Sequence, residues 1–192
     1  MTNIAVIPGR FNPPTIGHYT LFMKVKMYIK KHPELKIDPV PVIMVVEGVK
    51  SSEDKSRNPL DADTRISIMK SSGKAQGVKF VITNNVHNGM TELVEAGNKI
   101  VLLGVGNDRA EGYQKMMTDF GECEILSLAR SEGSEKILDT IDEKVPAHLV
   151  SGSLARKAAL NGNKKAFTIL TGLSDKTAEI VMNKIRKQNE VV

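Results

Sequence analysis

A chain of 192 residues can bury one good core but is short for two ordinary domains. Hydrophobic residues at 41% and charged residues at 26% exclude the disordered and fibrous classes. Aromatics at 4%, with no Trp, argue against stacking platforms for single-stranded nucleic acid. The net charge of +5 suits phosphate-bearing ligands, but it is dispersed rather than blocked into a tail, so nucleic acid is not the expected partner.

In chain order, apolar β-rich runs fall at Asn3–Pro8, Val40–Val46, Val78–Thr83, Lys99–Leu103 and Glu122–Leu128. Helical spacing separates them. Gly17–Lys30 carries Leu21, Phe22, Val25 and Ile29 on one stripe, and Asp61–Ser71, Met90–Ala96 and Ala110–Phe120 follow. Strands alternating with helices predict parallel βαβ units, and near-continuous apolar strands predict a sheet covered on both faces. After Pro146 the pattern changes to helices at Ser151–Asn161, Lys164–Leu170 and Ser174–Gln188, with Ser174 and Asp175 as candidate caps of the last. The expected architecture is α/β: a doubly wound, Rossmann-like parallel five-stranded sheet with a helical C-terminal end. It is read as one domain over 1–192, with the sheet core in 1–146 and the helices in 147–192. Cys123 is the only cysteine, so no intrachain disulfide forms. No signal-peptide pattern is present and no apolar run approaches the ~20 residues of a membrane span, so a cytoplasmic location without a membrane partner is expected.

The first strand runs into "PGRFNPPTIGH", residues 8–18. In open α/β sheets the ligand crevice lies beyond the carboxyl ends of the strands. Gly9 permits a close backbone approach, and Pro13-Pro14 stiffens the loop by fixing φ and removing two N–H donors. Thr15-Ile16-Gly17-His18 opens a helix whose unpaired N–H groups and positive dipole end favour an anion, and an imidazole in its first turn can donate to phosphate oxygen. A rigid turn with a surface histidine is the plainer alternative.

"GRFNPPTIGH" resembles the signature of the nucleotidyltransferase superfamily, in which glycine-x-Phe-(Asp/Asn)-Pro precedes (His/Thr)-x-Gly-His. "VSGSLAR", residues 150–156, is similar to that family's Ile-Ser-Ser-Thr-x-Ile-Arg through Ser151, Ser153 and Arg156, and departs from it at Gly152 and Ala155. "GVGNDR", residues 104–109, resembles its Gly-x-Asp nucleotide loop through Gly106, Asp108 and Arg109. These elements run from the first strand to the C-terminal helices.

The resemblance implies in-line attack by an acceptor oxyanion on the α-phosphorus of a nucleoside triphosphate, with Mg²⁺ entering on the triphosphate. Such chemistry needs positioning and charge neutralisation rather than a protein nucleophile, which fits a chain with no credible Ser/His/Asp or Cys/His set. It implies that His18, Thr15 and Arg156 carry catalysis. Gly9, Arg10, Phe11, Gly17, Gly106, Asp108, Arg109, Arg130, Ser151 and Ser153 would bind the nucleotide. Asp108 has a second reading, as N-cap of the helix from Ala110, and Arg109 could pair with phosphate or with Asp108. Lys50, Lys55, Arg57 and Arg65, within "KSSEDKSRNPLDADTRISIMK" (50–70), would form the wall of an anionic acceptor. The plainer readings are a solvated loop and, for Arg65, an exposed pair with Asp61.

"NPL…R" resembles adenylyltransferases that act on nicotinamide mononucleotide and phage-encoded relatives, for which the location would be the host cytoplasm. That favours ATP as donor. "LARSEG", residues 128–133, resembles instead the Arg-Thr-Glu-Gly-like segment of the superfamily's cytidylyltransferases and keeps CTP open. A nucleotide-sensing module without turnover and a homo-oligomer also stay open. His32, His87 and His148 lack partners at metal-ligand spacing, so no protein-held metal is expected. Lys24, Lys26, Lys30 and Lys31 read as a solvated helix face.

Overall fold

The computed structural model describes residues 1–48, 54–129, 138, 141 and 145–190. The chain divides into two compact units. One comprises Met1–Arg10, Thr20–Gly48 and Ala75–Ala129; the other comprises Phe11–Tyr19, Val49–Lys74 and Arg130–Val192.

The first unit is the sheet. Strands β1 (Thr2–Gly9), β2 (Val42–Val46), β3 (Lys79–Thr83), β4 (Asn98–Gly106) and β5 (Glu124–Leu128) form a five-stranded sheet in the order β3-β2-β1-β4-β5. Every neighbouring pair is parallel. The chain steps outward from β1 through β2 to β3, then returns to place β4 on the other side of β1. The order therefore reverses between β1 and β4, the switch point where such sheets present their crevice. Ile4–Ile7 are buried throughout, as expected of a central strand covered on both faces. Helices α1 (Ile16–Lys31, which enters this unit at Thr20), α3 (Val86–Glu95) and α4 (Ala110–Met117) accompany the strands. Gly104 has a packing reason: a Cβ there would stand 2.6 Å from Val25 Cγ2.

The doubly wound architecture read from the sequence is present, with corrections at the element ends. β4 continues to Gly106 rather than stopping at Leu103, because β5 pairs with it through Val105↔Ser127 and Gly106↔Leu128. α3 begins at Val86, four residues before the apolar stripe, because the Asn85 side chain accepts from Asn88 N–H at 2.8 Å and caps it. α4 ends at Met117, ahead of Gly121 in the left-handed region (φ 99°). Two of the four lysines read as a solvated face are also anchored. Lys24 Nζ donates to Ser127 O at 2.7 Å and Lys26 Nζ to Gln76 O at 2.8 Å.

The second unit holds the start of α1, α2 (Ala62–Ser71), α5 (Gly152–Leu160), α6 (Lys164–Thr171) and α7 (Asp175–Glu190). The last three pack on one another. Leu154, Ala155, Ala158 and Ala159 give α5 a small-residue face against Phe167, Leu170, Val181, Met182 and Ile185. Asn163 caps α6 and Ser174 caps the start of α7. Gly172 ends α6 in the left-handed conformation (φ 64°), and its carbonyl accepts from Lys74 Nζ at 2.6 Å.

Candidate functional site

Beyond β1 the chain bends sharply. Phe11 takes φ 50°, a conformation costly for a bulky side chain, and is nevertheless buried at 2% exposure. Its ring meets the His18 ring edge-on, with centroids 5.0 Å apart.

Thr15 is the N-cap of α1 and His18 is its third helical residue, so the pair stands where a capping box places Ser/Thr and Glu. Thr15 N–H donates to His18 Nδ1 at 3.0 Å, while Thr15 Oγ1 lies 2.8 Å from the same nitrogen. The Thr15 carbonyl accepts from the N–H groups of His18 and Tyr19 and opens the helix. A backbone N–H can only donate, so Nδ1 is an acceptor here. The imidazole is therefore neutral with its proton on Nε2, which makes Nε2 the donor. Gly17 permits this start geometrically: a Cβ would stand 3.1 Å from Ala147 O and 3.4 Å from Val150 O.

α5 begins beside this loop. Ser151 Oγ accepts from Leu154 N–H at 3.1 Å, a regular N-cap. Arg156 Nη1 donates to Asn12 O at 2.6 Å and Nη2 to Ser153 Oγ at 3.1 Å. Asn12 is 4% exposed, and its side chain grips Leu60 twice: Nδ2 donates to Leu60 O at 2.8 Å, and Leu60 N–H donates to Oδ1 at 3.2 Å. The contacts form two sets along the loop after β1: Phe11 and Thr15 meet His18, and Asn12 and Ser153 hold Arg156, with Ser151 capping the same α5. Two of the α5 N-terminal residues, Gly152 and Ser153, are at least partly exposed beside an arginine, which is the chemistry of an anion site.

The expected acceptor residues are placed differently. Lys55 is exposed in a turn, and Arg57 pairs with Asp54 at 3.5 Å. Arg65 lies on α2 at 2% exposure, with Nε donating to Asp61 O at 3.1 Å. The exposed Arg65–Asp61 ion pair is corrected: Arg65 is buried and meets the Asp61 carbonyl, while the Asp61 carboxylate caps α2 by accepting from Thr64 N–H at 2.7 Å. Partial burial pushes that carboxyl upward, but the bonds from the Thr64 backbone and hydroxyl outweigh it and hold Asp61 below its ordinary value. Lys50 and Arg130 lie outside the described residues.

In the sheet unit, Gly9 ends β1 beside β2, and Arg10 is exposed. Gly106 ends β4 and leads into a tight turn, Asn107–Arg109, with Asp108 and Arg109 both exposed. Arg109 Nε lies 3.7 Å from Asp108 Oδ2, so of its two readings the pair with Asp108 is present. The N-cap reading of Asp108 is corrected: α4 is preceded by Arg109 and has no side-chain cap bond.

Sequence reading missed Asn12. Its signal was available as the polar residue between Phe11 and Pro13, but its partners, Leu60 and Arg156, are 48 and 144 residues away.

Solved structures share this fold. A Vibrio parahaemolyticus protein assigned as a nicotinate-nucleotide adenylyltransferase aligns with a TM-score of 0.55 at 16% identity, covering 95% of this chain and all of its own. The nicotinic acid mononucleotide adenylyltransferase of Plasmodium falciparum aligns at 12% identity in two complexes. With NaAD the TM-score is 0.58, covering 98% of this chain and 97% of that one; with APC it is 0.57, covering 98% and 96%. At these identities the likeness shows the fold. No curated sequence gives a significant match. Among the described residues no helix is long and apolar enough to cross a membrane. The model of the family described as cytidylyltransferase-like matches residues 6–158, from β1 through the Arg156 segment, and the chain therefore belongs to that nucleotidyltransferase family.

Proposed function

We propose that the chain is an enzyme transferring AMP from ATP to a small phosphorylated acceptor such as nicotinamide mononucleotide, with release of pyrophosphate. The observation that carries this reading is the Thr15–His18 box, which fixes a neutral imidazole with an Nε2–H donor in the first turn of α1. An acceptor phosphate oxygen attacks the α-phosphorus in line, the bond to the bridging α–β oxygen breaks, and pyrophosphate leaves. His18 Nε2–H donates to the phosphate oxygens as their charge develops. The α5 N-terminus with Ser151, Ser153 and Arg156 holds the departing phosphates. Thr15 acts through His18, by fixing its tautomer and ring orientation.

Gly106, Asp108 and Arg109 are assigned the nucleoside, by resemblance. Asp108 offers an acceptor to ribose hydroxyls or base amines. Lys55 and Arg65, with Lys50, are assigned the acceptor on the same ground, and Arg130 the nucleotide.

Among the described residues no group of three or more His, Cys, Asp or Glu gathers to hold a metal ion. Mg²⁺ is assigned to the triphosphate by resemblance, held by phosphate oxygens and water, where it would supply charge neutralisation when bound.

The named activity of the Plasmodium enzyme supports AMP transfer to a nicotinate-type mononucleotide. CTP as donor is the second reading, supported by the family match and the sequence "LARSEG". Pyrophosphate release, measured with each nucleoside triphosphate against a panel of phosphorylated acceptors, separates the two. ATP with a pyridine mononucleotide is the expected active pair; CTP turnover would establish the second reading. No release from any pair, with nucleotide still bound, would leave a sensing module.

A further inference from the structure

We propose that Asn12 is a positioning residue that bolts Leu60 and Arg156 to one point of the loop after β1, so that the side chain of residue 12 sets the grip of Arg156 on the triphosphate. The inference rests on the nucleotidyl-transfer reading and assigns that reaction a residue not yet given a role.

Both ends of the Asn12 amide are used, one as donor to Leu60 O and one as acceptor from Leu60 N–H, in the manner of a strand pair made by a side chain. Only an amide satisfies both partners: a carboxylate has no donor for Leu60 O, and alanine leaves both backbone groups unmatched in a region where residue 12 is 4% exposed. With the side chain fixed, the Asn12 carbonyl is presented to Arg156 Nη1 at 2.6 Å. Arg156 is thereby held in one direction, with Ser153 Oγ taking Nη2. Gly152 belongs to the same junction, since a Cβ there would stand 3.2 Å from Asn12 O and 3.5 Å from Arg156 Nη1. Close approach of α5 to the loop therefore uses the missing side chain at 152, where the superfamily pattern has serine.

The test is a mutant cycle read by titration with α,β-methylene-ATP, its cytidine counterpart in parallel, alongside pyrophosphate release by the wild type. Asn12→Ala should weaken analogue binding about tenfold in the wild-type background, within the coupling range of directly contacting residues, and less than about twofold when Arg156→Ala is already present. Gly152→Ala should weaken binding in the same Arg156-dependent way, because its Cβ crowds the Asn12 carbonyl that holds Arg156. If Asn12→Ala does not fold, the Gly152→Ala cycle carries the test alone. Equal losses in both backgrounds, or no loss in either, would overturn the positioning role while a wild type releasing pyrophosphate kept the transfer reading intact. A wild type that neither binds the analogues nor releases pyrophosphate with any pair would overturn both.

Discussion

In the sheet unit the buried residues include Ile4–Ile7, Val42–Val45, Ile100, Leu102 and Leu103, and Thr83 is its one buried polar residue among those described. The other unit buries Asn12, Thr15, Arg65 and Thr171. Each of these four makes a side-chain hydrogen bond: Asn12 to Leu60, Thr15 to His18, Arg65 to Asp61 and Thr171 to Phe167 O. Burying a polar group is unfavourable unless it is bonded, so such groups confer orientation rather than net stability. The sheet unit is built chiefly by burial, and the other unit also fixes directions. A chemical site needs the second property.

His18→Ala offers the sharpest break in that contrast. It should reduce turnover by roughly two to three orders of magnitude, as loss of a transition-state donor does. The melting temperature should fall modestly, since Thr15 loses its partner at Nδ1 and Phe11 its edge-on ring contact. Near-normal turnover by this variant in the pyrophosphate assay would remove His18 from the reaction.

Arg65→Ala should act on the fold. Emptying a position 2% exposed and removing the Nε bond to Asp61 O, which keeps its bond from Arg65 N–H, should cost roughly 2–4 kcal/mol, measured by urea unfolding. Arg65→Lys should recover part of it, because an ammonium keeps the charge without the planar fork. A raised acceptor KM with unchanged stability would leave Arg65 with its acceptor role alone.

Gly104→Ala probes the sheet unit by overpacking. A Cβ 2.6 Å from Val25 Cγ2 and 3.2 Å from Ile7 Cγ1 should destabilise by about 1–3 kcal/mol while leaving kcat and KM unchanged below the transition. A kinetic effect without destabilisation would contradict the division of labour.

Asp38 gives the smallest effect. Val40 N–H at 2.9 Å, followed by Lys79 Nζ at 3.1 Å, holds its carboxyl below the ordinary value. A carboxyl depressed in the folded state binds its proton more readily when unfolded. Its contribution is therefore present above the unfolded carboxylate range and is lost as pH falls through the folded pKa. Asp38→Asn should flatten the acid limb of the stability–pH curve by less than about 1 kcal/mol. An unchanged acid limb would show that the pair contributes nothing.

The sequence by itself determined the parallel sheet, because strands buried on both faces must be apolar along their length, and the runs Val40–Val46 and Lys99–Leu103 show that pattern in the chain. It also marked where the proposed chemistry would start: Thr15, His18, Ser151 and Arg156 stand in short local motifs, and a helix N-terminus is a local feature. The interior of the second unit was not local. Arg65 reads as a surface cation on an acidic-start helix, and only packing shows it buried. Asn12 reads as a turn residue, and only the fold brings Leu60 and Arg156 to it from 48 and 144 residues away. Gly152 reads as a lost hydroxyl, and only the folded chain sets a backbone carbonyl 3.2 Å from where its Cβ would be. Periodicity encodes which face of an element is buried, but not which distant polar group meets it there. That pairing exists only once the chain has closed on itself.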